Sequence, residues 1–202
     1  MSICYGLNSK PFYLPVDNTA LKHGDLFITD CSIMVDGWSG DVSKTWVVGQ
    51  DTSQKRYNLV HTVYEATQLG MSLCKPGIDL YDITVQMENL VENNGFKMLK
   101  FDEEFSLRSG AGLGHSIGRI HNDGWNIPFY KHDINKGHIL EVGMVIAIEP
   151  LITSGNGLGL ISLDPFYGYT EDGSDCAQCE HIIVITDEGS ECLSLRSGEI
   201  IS

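Results

Sequence analysis

The sequence predicts an α+β fold, and three observations carry that prediction. Two runs rich in β-branched and aromatic residues flank a turn-forming stretch near the start. Two stretches with helical periodicity come next. The rest breaks into short apolar runs of strand length, without the regular strand and helix alternation of a doubly wound sheet. At 202 residues, 42% hydrophobic and 20% charged, the chain is long enough for one well-cored domain. No repeat, linker or low-complexity tract divides it, so residues 1–202 are read as a single domain.

Leu26 to Val35 and Asp41 to Val48 read as the strands of a hairpin, turning through Asp36-Gly-Trp-Ser-Gly40. Ser53 can cap a helix running to about Cys74, with Leu59, Val60, Val63 and Ala66 on one face and Pro76-Gly77 as its stop. Leu80, Ile83, Met87, Leu90 and Val91 recur at helical spacing in a second helix ending at Asn94-Gly95. After Phe101 only strand-like runs are expected: Met144 to Ile148, Gly157 to Ser162 and His181 to Thr186. Together they predict an antiparallel sheet backed by the two helices.

The formal charge of −14 repels phosphate backbones and anionic lipid, which argues against nucleic acid and membrane surfaces as partners and favours cations. The opening MSICYGLNSKPFY lacks a basic start followed by an apolar run, and no stretch reaches the roughly eighteen apolar residues of a spanning helix. A cytoplasmic location is expected. The six cysteines fit reduced thiols in a chain that folds without staples. Cys176-x-x-Cys179 has no second pair at zinc-site spacing and reads as two packed thiols.

Four acidic residues interrupt apolar strands. Asp30 and Asp41 sit inside the two hairpin strands, where an unpaired buried carboxylate costs several kcal/mol. A turn near Asp36-Gly37 pairs positions of opposite parity, so both aspartates project from one face. Glu149 closes Met144-Val-Ile-Ala-Ile148, and Glu180 precedes His181-Ile-Ile-Val-Ile185. Carboxylate oxygens with one imidazole suit hard or borderline divalent ions. His115, among small residues in Gly112-Leu-Gly-His-Ser-Ile-Gly118, can supply that nitrogen.

Five stretches in order resemble the successive motifs of methionine aminopeptidases: Gly24-Asp-Leu-Phe-Ile-Thr-Asp30, Asp36-Gly-Trp-Ser-Gly-Asp-Val-Ser-Lys44, Gly114-His-Ser-Ile-Gly118, Ile148-Glu-Pro150 and Ala177-Gln-Cys-Glu-His181. The resemblance runs from about Ser2 to the C-terminus. It implies the pita-bread fold and two divalent ions (manganese, iron, cobalt or zinc) held by Asp30, Asp41, His115, Glu149 and Glu180. It also implies an aminopeptidase that removes N-terminal residues, methionine above all, from peptides or nascent chains. Such ions acidify water and polarise the scissile carbonyl. Glu149 would relay the proton and His121 would stabilise the tetrahedral intermediate.

The chain departs from the family pattern in several places. The family's Cys-His-Gly motif appears as Cys4-Tyr-Gly6, and Tyr5, with a pKa of about 10, is not an equivalent acid or base near neutrality. His121 follows His115 by six positions where the family usually has at least seven. The chain starts well inside the family's domain, so it reads as an N-terminally short member. Phe166 stands where an indole is expected, and with Tyr167 it is a candidate wall for the substrate side chain. These departures frame an alternative, a catalytically impaired pita-bread module that binds metal or other proteins. Proline-specific relatives fit less well, because they usually carry a large extra N-terminal domain.

Overall fold

The computed structural model describes residues 2–5, 20–49, 52–109, 114–163 and 166–199. Three antiparallel strands begin it: β1 (Ser2–Tyr5), β2 (Leu26–Val35) and β3 (Trp38–Val47), hydrogen-bonded in the order β1-β2-β3. The β2–β3 turn is tighter than the sequence suggests. Asp36 and Gly37 both adopt positive φ, 50° and 78°, the signature of a two-residue turn whose twist matches the strands it joins. Trp38, Ser39 and Gly40, expected in the turn, therefore belong to β3. Ser39 N donates to Gly118 O at 2.8 Å and the Arg119 guanidinium covers the Trp38 ring at 4.1 Å, tying this end of the strand to the neighbouring loop.

Helix α1 (Gln54–Leu73) starts where Ser53 accepts a hydrogen bond from Arg56 N at 3.3 Å. It buries Leu59, Val63, Ala66, Gly70 and Met71, positions three and four apart, as its amphipathic pattern requires. Helix α2 (Leu80–Asn93) is capped by Asp79, whose Oδ1 accepts from Tyr81 N at 2.9 Å, and it buries Leu80, Ile83, Met87 and Val91. A short strand β4 (Lys97–Met98) leads to α3 (Glu103–Ser109), a helix in a region where only strands were expected. Asp102 Oδ1 accepts from Phe105 N at 2.9 Å, and Glu103 and Glu104 fill the first turn, where the helix dipole favours acids.

Nine strands follow among the described residues: β5 (Gly114–Ser116), β6 (Asn126–Ile127), β7 (Val145–Ile148), β8 (Leu151–Thr153), β9 (Gly159–Leu163), β10 (Phe166–Thr170), β11 (Cys176–Gln178), β12 (His181–Thr186) and β13 (Gly189–Cys192). The largest sheet runs β13-β12-β7-β5-β6, with smaller sheets β11-β8-β4 and β10-β9. The expected runs at 144–148, 157–162 and 181–186 correspond to β7, β9 and β12 within two residues.

Ile146, Ile148, Ile152, Ile183 and Ile185 pack with Leu59, Val63, Met87 and Val91 in one core between the sheet and the two helices. Each such side chain contributes about 1.5–3 kcal/mol by leaving water. Ile148→Ala, next to Glu149, would cost about 2–5 kcal/mol. Thr67 Oγ1, on the buried face of α1, lies 2.9 Å from Cys179 O and fixes the helix against the turn that precedes Glu180. Cys176 and Cys179 are both buried but belong to different apolar clusters, so the CxxC spacing serves packing on two sides of the chain. Among the described residues no helix is long and apolar enough to cross a membrane.

Candidate metal centre

Two structural units bring the acidic residues together. In the hairpin, Asp30 pairs with Ser43 and Ser32 pairs with Asp41, so Asp30 and Asp41 are diagonal neighbours on one face. In the large sheet, β7 lies between β5 and β12, with His115 opposite Ala147 and His181 opposite Ile148. Glu149, one residue beyond β7, and Glu180, one residue before β12, are therefore level with each other. His115 shares their face. Glu180 N donates to Ser43 O at 3.0 Å, docking this rim of the sheet onto the hairpin.

The five predicted ligand residues fall into two overlapping groups. Ligand atoms of Asp30, Asp41 and Glu180 lie within 4.8 Å of one another, and so do those of His115, Glu149 and Glu180. Asp41 is 5% exposed, His115 5% and Glu180 1%. His115 Nε2 stands 3.6 Å from Glu149 Oε1 and 3.8 Å from Asp41 Oδ2. Its Nδ1 is 3.1 Å from Ser116 O, and since a carbonyl only accepts, the ring proton sits on Nδ1. The Nε2 lone pair is left facing the carboxylates, the tautomer a metal ligand needs.

The electrostatics of the cluster suit a cation. Burial first, then the charges of Glu180, Asp41 and Asp30, push the Glu149 carboxyl well above the usual carboxylate range. Glu180 is pushed the same way by burial and by Asp41 and Asp30. Burial lowers His115 below its ordinary value, which keeps the ring neutral. Glu180 Oε1 is buried without a hydrogen-bond partner, and an orphaned buried carboxylate oxygen costs more than its neighbours repay unless something binds it. A divalent ion satisfies that oxygen and neutralises its neighbours. The donor set fits the group.

His121 reaches this cluster despite its short spacing from His115. Gly118 N donates to Ile120 O at 3.1 Å, and this tight turn carries His121 back over the site. Its Nε2 lies 2.5 Å from Asp41 Oδ2 and 3.1 Å from Ser32 Oγ, and its ring centroid is 4.8 Å from that of His115. The bond to Asp41 holds the His121 pKa above its ordinary value. With 49% of its side chain exposed, His121 marks the open side of the site. His132, His138 and His181 stay apart in packing roles: His138 stacks on Trp125 at 5.0 Å, His132 meets Glu103 at 3.1 Å, and His181 is buried beside Arg196.

Three residues at the site carried no signal of their own in the sequence. Gln178 Nε2 donates to Glu149 Oε2 at 2.9 Å, Ser32 Oγ donates to Asp41 Oδ1 at 2.9 Å, and Arg196 Nη2 donates to Glu180 O at 3.1 Å. The one clue was parity, since Ser32 shares the strand face of Asp30. Tyr5 pairs with Phe27 through the backbone and Phe166 with Leu163, but both side chains lie outside the described residues. Tyr167, next to Phe166, packs on Tyr169 with ring centroids 5.6 Å apart.

The sequence model of metallopeptidase family M24 matches residues 1–187. The chain belongs to metallopeptidase family M24. It is 35% identical over 202 residues to the methionine aminopeptidase of Buchnera aphidicola subsp. Acyrthosiphon pisum, a match covering 100% of this chain and 72% of that protein. The crystal structure of methionine aminopeptidase from Thermotoga maritima superposes with a TM-score of 0.83 at 30% identity, over 96% of this chain and 74% of that one. Prolidase from Pyrococcus furiosus, at 19% identity and TM-score 0.69 over 96% of this chain and 48% of its own, shares the fold alone. The M24 chain thus has the pita-bread fold, and as a family member it is a hydrolase of peptide bonds that uses divalent metal.

Proposed function

We propose that this M24 chain removes N-terminal methionine from peptides and nascent proteins in the cytoplasm. Two divalent ions would be held by Asp30, Asp41, His115, Glu149 and Glu180, with residues 1–202 acting as one catalytic domain. The observation that carries the reading is the meeting of the two ligand groups on Glu180, whose Oε1 is buried and unpartnered. Four carboxylates and one imidazole suit manganese, iron, cobalt or zinc. The formal charge of −14 favours a substrate that arrives with a free amine, and opposes nucleic acid and anionic membranes.

When bound, the ions supply Lewis acidity at the scissile carbonyl and lower the pKa of a water toward neutrality. The protein's own groups do the rest. Gln178 donates to Glu149 Oε2 and holds the carboxylate in one orientation, from which Glu149 would take a proton from the attacking water and return it to the departing amine. His121, on the open side, would stabilise the oxygen of the tetrahedral intermediate once its Nε2 turns from Asp41. Asp30 and Asp41, on the hairpin, would hold the ion side of the site, toward which the substrate's free amino terminus is directed. Phe166 would wall the methionine side chain, and Tyr5 would stand near the scissile amide.

The test is methionine release from Met-Ala-Ser peptides by protein loaded in turn with manganese, iron, cobalt and zinc, beside a Glu149→Ala control. Release above the control is expected. Activity no greater than the control overturns the peptidase reading, and metal content below about one ion per chain at micromolar metal overturns the ligand set. A gain of turnover in Tyr5→His would trace any weak activity to that position, whereas a protein that binds ions and never turns over would be the catalytically impaired module.

A further inference from the structure

The last described segment of the chain returns to the seam where hairpin and sheet meet. Leu193 N donates to Ile182 O at 2.8 Å, and beyond it Arg196 turns inward. Its Nη2 donates to Ser43 O and, at 3.1 Å, to Glu180 O. Its Nη1 lies 3.0 Å from Glu199 Oε1 and 3.0 Å from His181 Nε2. Glu199 holds the guanidinium in place: Arg196 N donates to Glu199 Oε2 at 3.1 Å, Glu199 N donates to Arg196 O at 3.0 Å, and Lys44 Nζ is 3.4 Å from Glu199 Oε1.

The two carbonyls gripped by Arg196 belong to the two halves of the proposed site. Ser43 is the partner of Asp30 in the hairpin and stands two residues from Asp41 on the same face. Glu180 is the carboxylate shared by both ligand groups. Ser43 O also accepts from Glu180 N, so a planar cation closes a ring across the seam. A guanidinium presents donors in a rigid fork and never loses its charge, which suits it to fix a distance between two backbones.

We propose that Arg196 is a positioning residue of the metal centre: by bridging Ser43 O and Glu180 O it sets the spacing between Asp30 and Asp41 on one side and Glu180 on the other. The inference rests on the reading of those carboxylates as metal ligands. Arg196 touches neither ion nor substrate and acts through the strands it joins. Lysine keeps the charge but lacks the fork, so Arg196→Lys isolates geometry from electrostatics.

Cobalt(II) titration followed by visible absorption tests this, because the intensity and position of the d–d bands report ligand geometry. Wild-type protein is expected to develop bands. Arg196→Lys should bind cobalt about tenfold or more weakly with altered bands, while its metal-free melting temperature stays near that of wild type and kcat falls more than KM changes. Glu199→Gln, which frees the guanidinium to tilt, should shift the bands the same way by less. No bands in wild type would sink the ligand reading itself. Normal wild-type bands with the same affinity and spectrum in Arg196→Lys would overturn this inference alone, and if that variant does not fold, an unchanged spectrum in Glu199→Gln overturns it equally.

Discussion

Gln178 Nε2 stands 2.9 Å from Glu149 Oε2, while Oε1 of the same carboxylate stands 3.6 Å from His115 Nε2. The amide thus holds the carboxylate in one orientation. Gln178 is itself pinned, since Gln178 N donates to Thr45 Oγ1 at 2.8 Å. Gln178→Leu should lower kcat about 10–100-fold with ion content unchanged, the usual cost of losing a partner one step behind a metal ligand. Steady-state methionine release and elemental analysis on the same preparation check both halves.

Gly114 precedes His115 where β5 is squeezed between neighbours. A Cβ there would lie 2.2 Å from Phe129 Cε2 and 2.5 Å from Ala147 O, and the second contact is backbone. Gly114→Ala is expected to destabilise the protein by about 1–3 kcal/mol or more through overpacking. Because the strand shifts, it should also weaken metal binding. Urea denaturation and a metal titration would register the two effects, and wild-type values in both would refute the argument.

His121 lies on the open side of the cluster and is not among the five residues read as ligands. His121→Ala should therefore retain bound ions while losing about 10²–10³ in kcat, the cost of one donor to a developing oxyanion. Ser32→Ala, which removes only the hydroxyl bond to Asp41, should lose less. An ion content that collapses in His121→Ala would instead make that ring a ligand.

Asp79 ties the start of α2 to a distant turn, accepting from Gly137 N and Tyr81 N at 2.9 Å each. Those bonds, Gly137 first, hold its pKa below the ordinary carboxylate value. A depressed folded pKa means that the folded state binds fewer protons than the unfolded chain. The stability is present above the ordinary carboxylate value and is lost as pH falls through the folded pKa. Asp79→Asn should melt a few degrees below wild type near neutrality, and the gap should close on acidification below the ordinary carboxylate range. A gap that widens in acid would contradict this sign.

How far the fold was legible follows from which signals survive an error of register. That Asp30 and Asp41 share a face depends on parity alone, so it held although the turn proved three residues shorter than expected. The helices were legible because Ser53, Pro76 and a steady apolar period bound them. Seven-residue α3 was not, since its stability comes from the Asp102 cap and tertiary contact more than from periodicity. β11 is buried at all three positions and gives no alternation to read. His121 shows that residue count does not measure reach where a loop turns on itself. Gln178, Ser32 and Arg196 are ordinary polar residues in sequence, and only the meeting of hairpin and sheet gives them a task.

Asp30 and Asp41 are made before Glu180. A nascent chain that has the hairpin carries two of the carboxylates before Glu180 is made, and the cluster is complete only after β12 has paired with β7. A centre assembled from strands so distant in sequence would take its ions after long-range pairing, not template it as a zinc finger does. Stripping them with a chelator should leave the paired frame standing and ready to be recharged, with the circular dichroism of the stripped and reloaded protein superimposable.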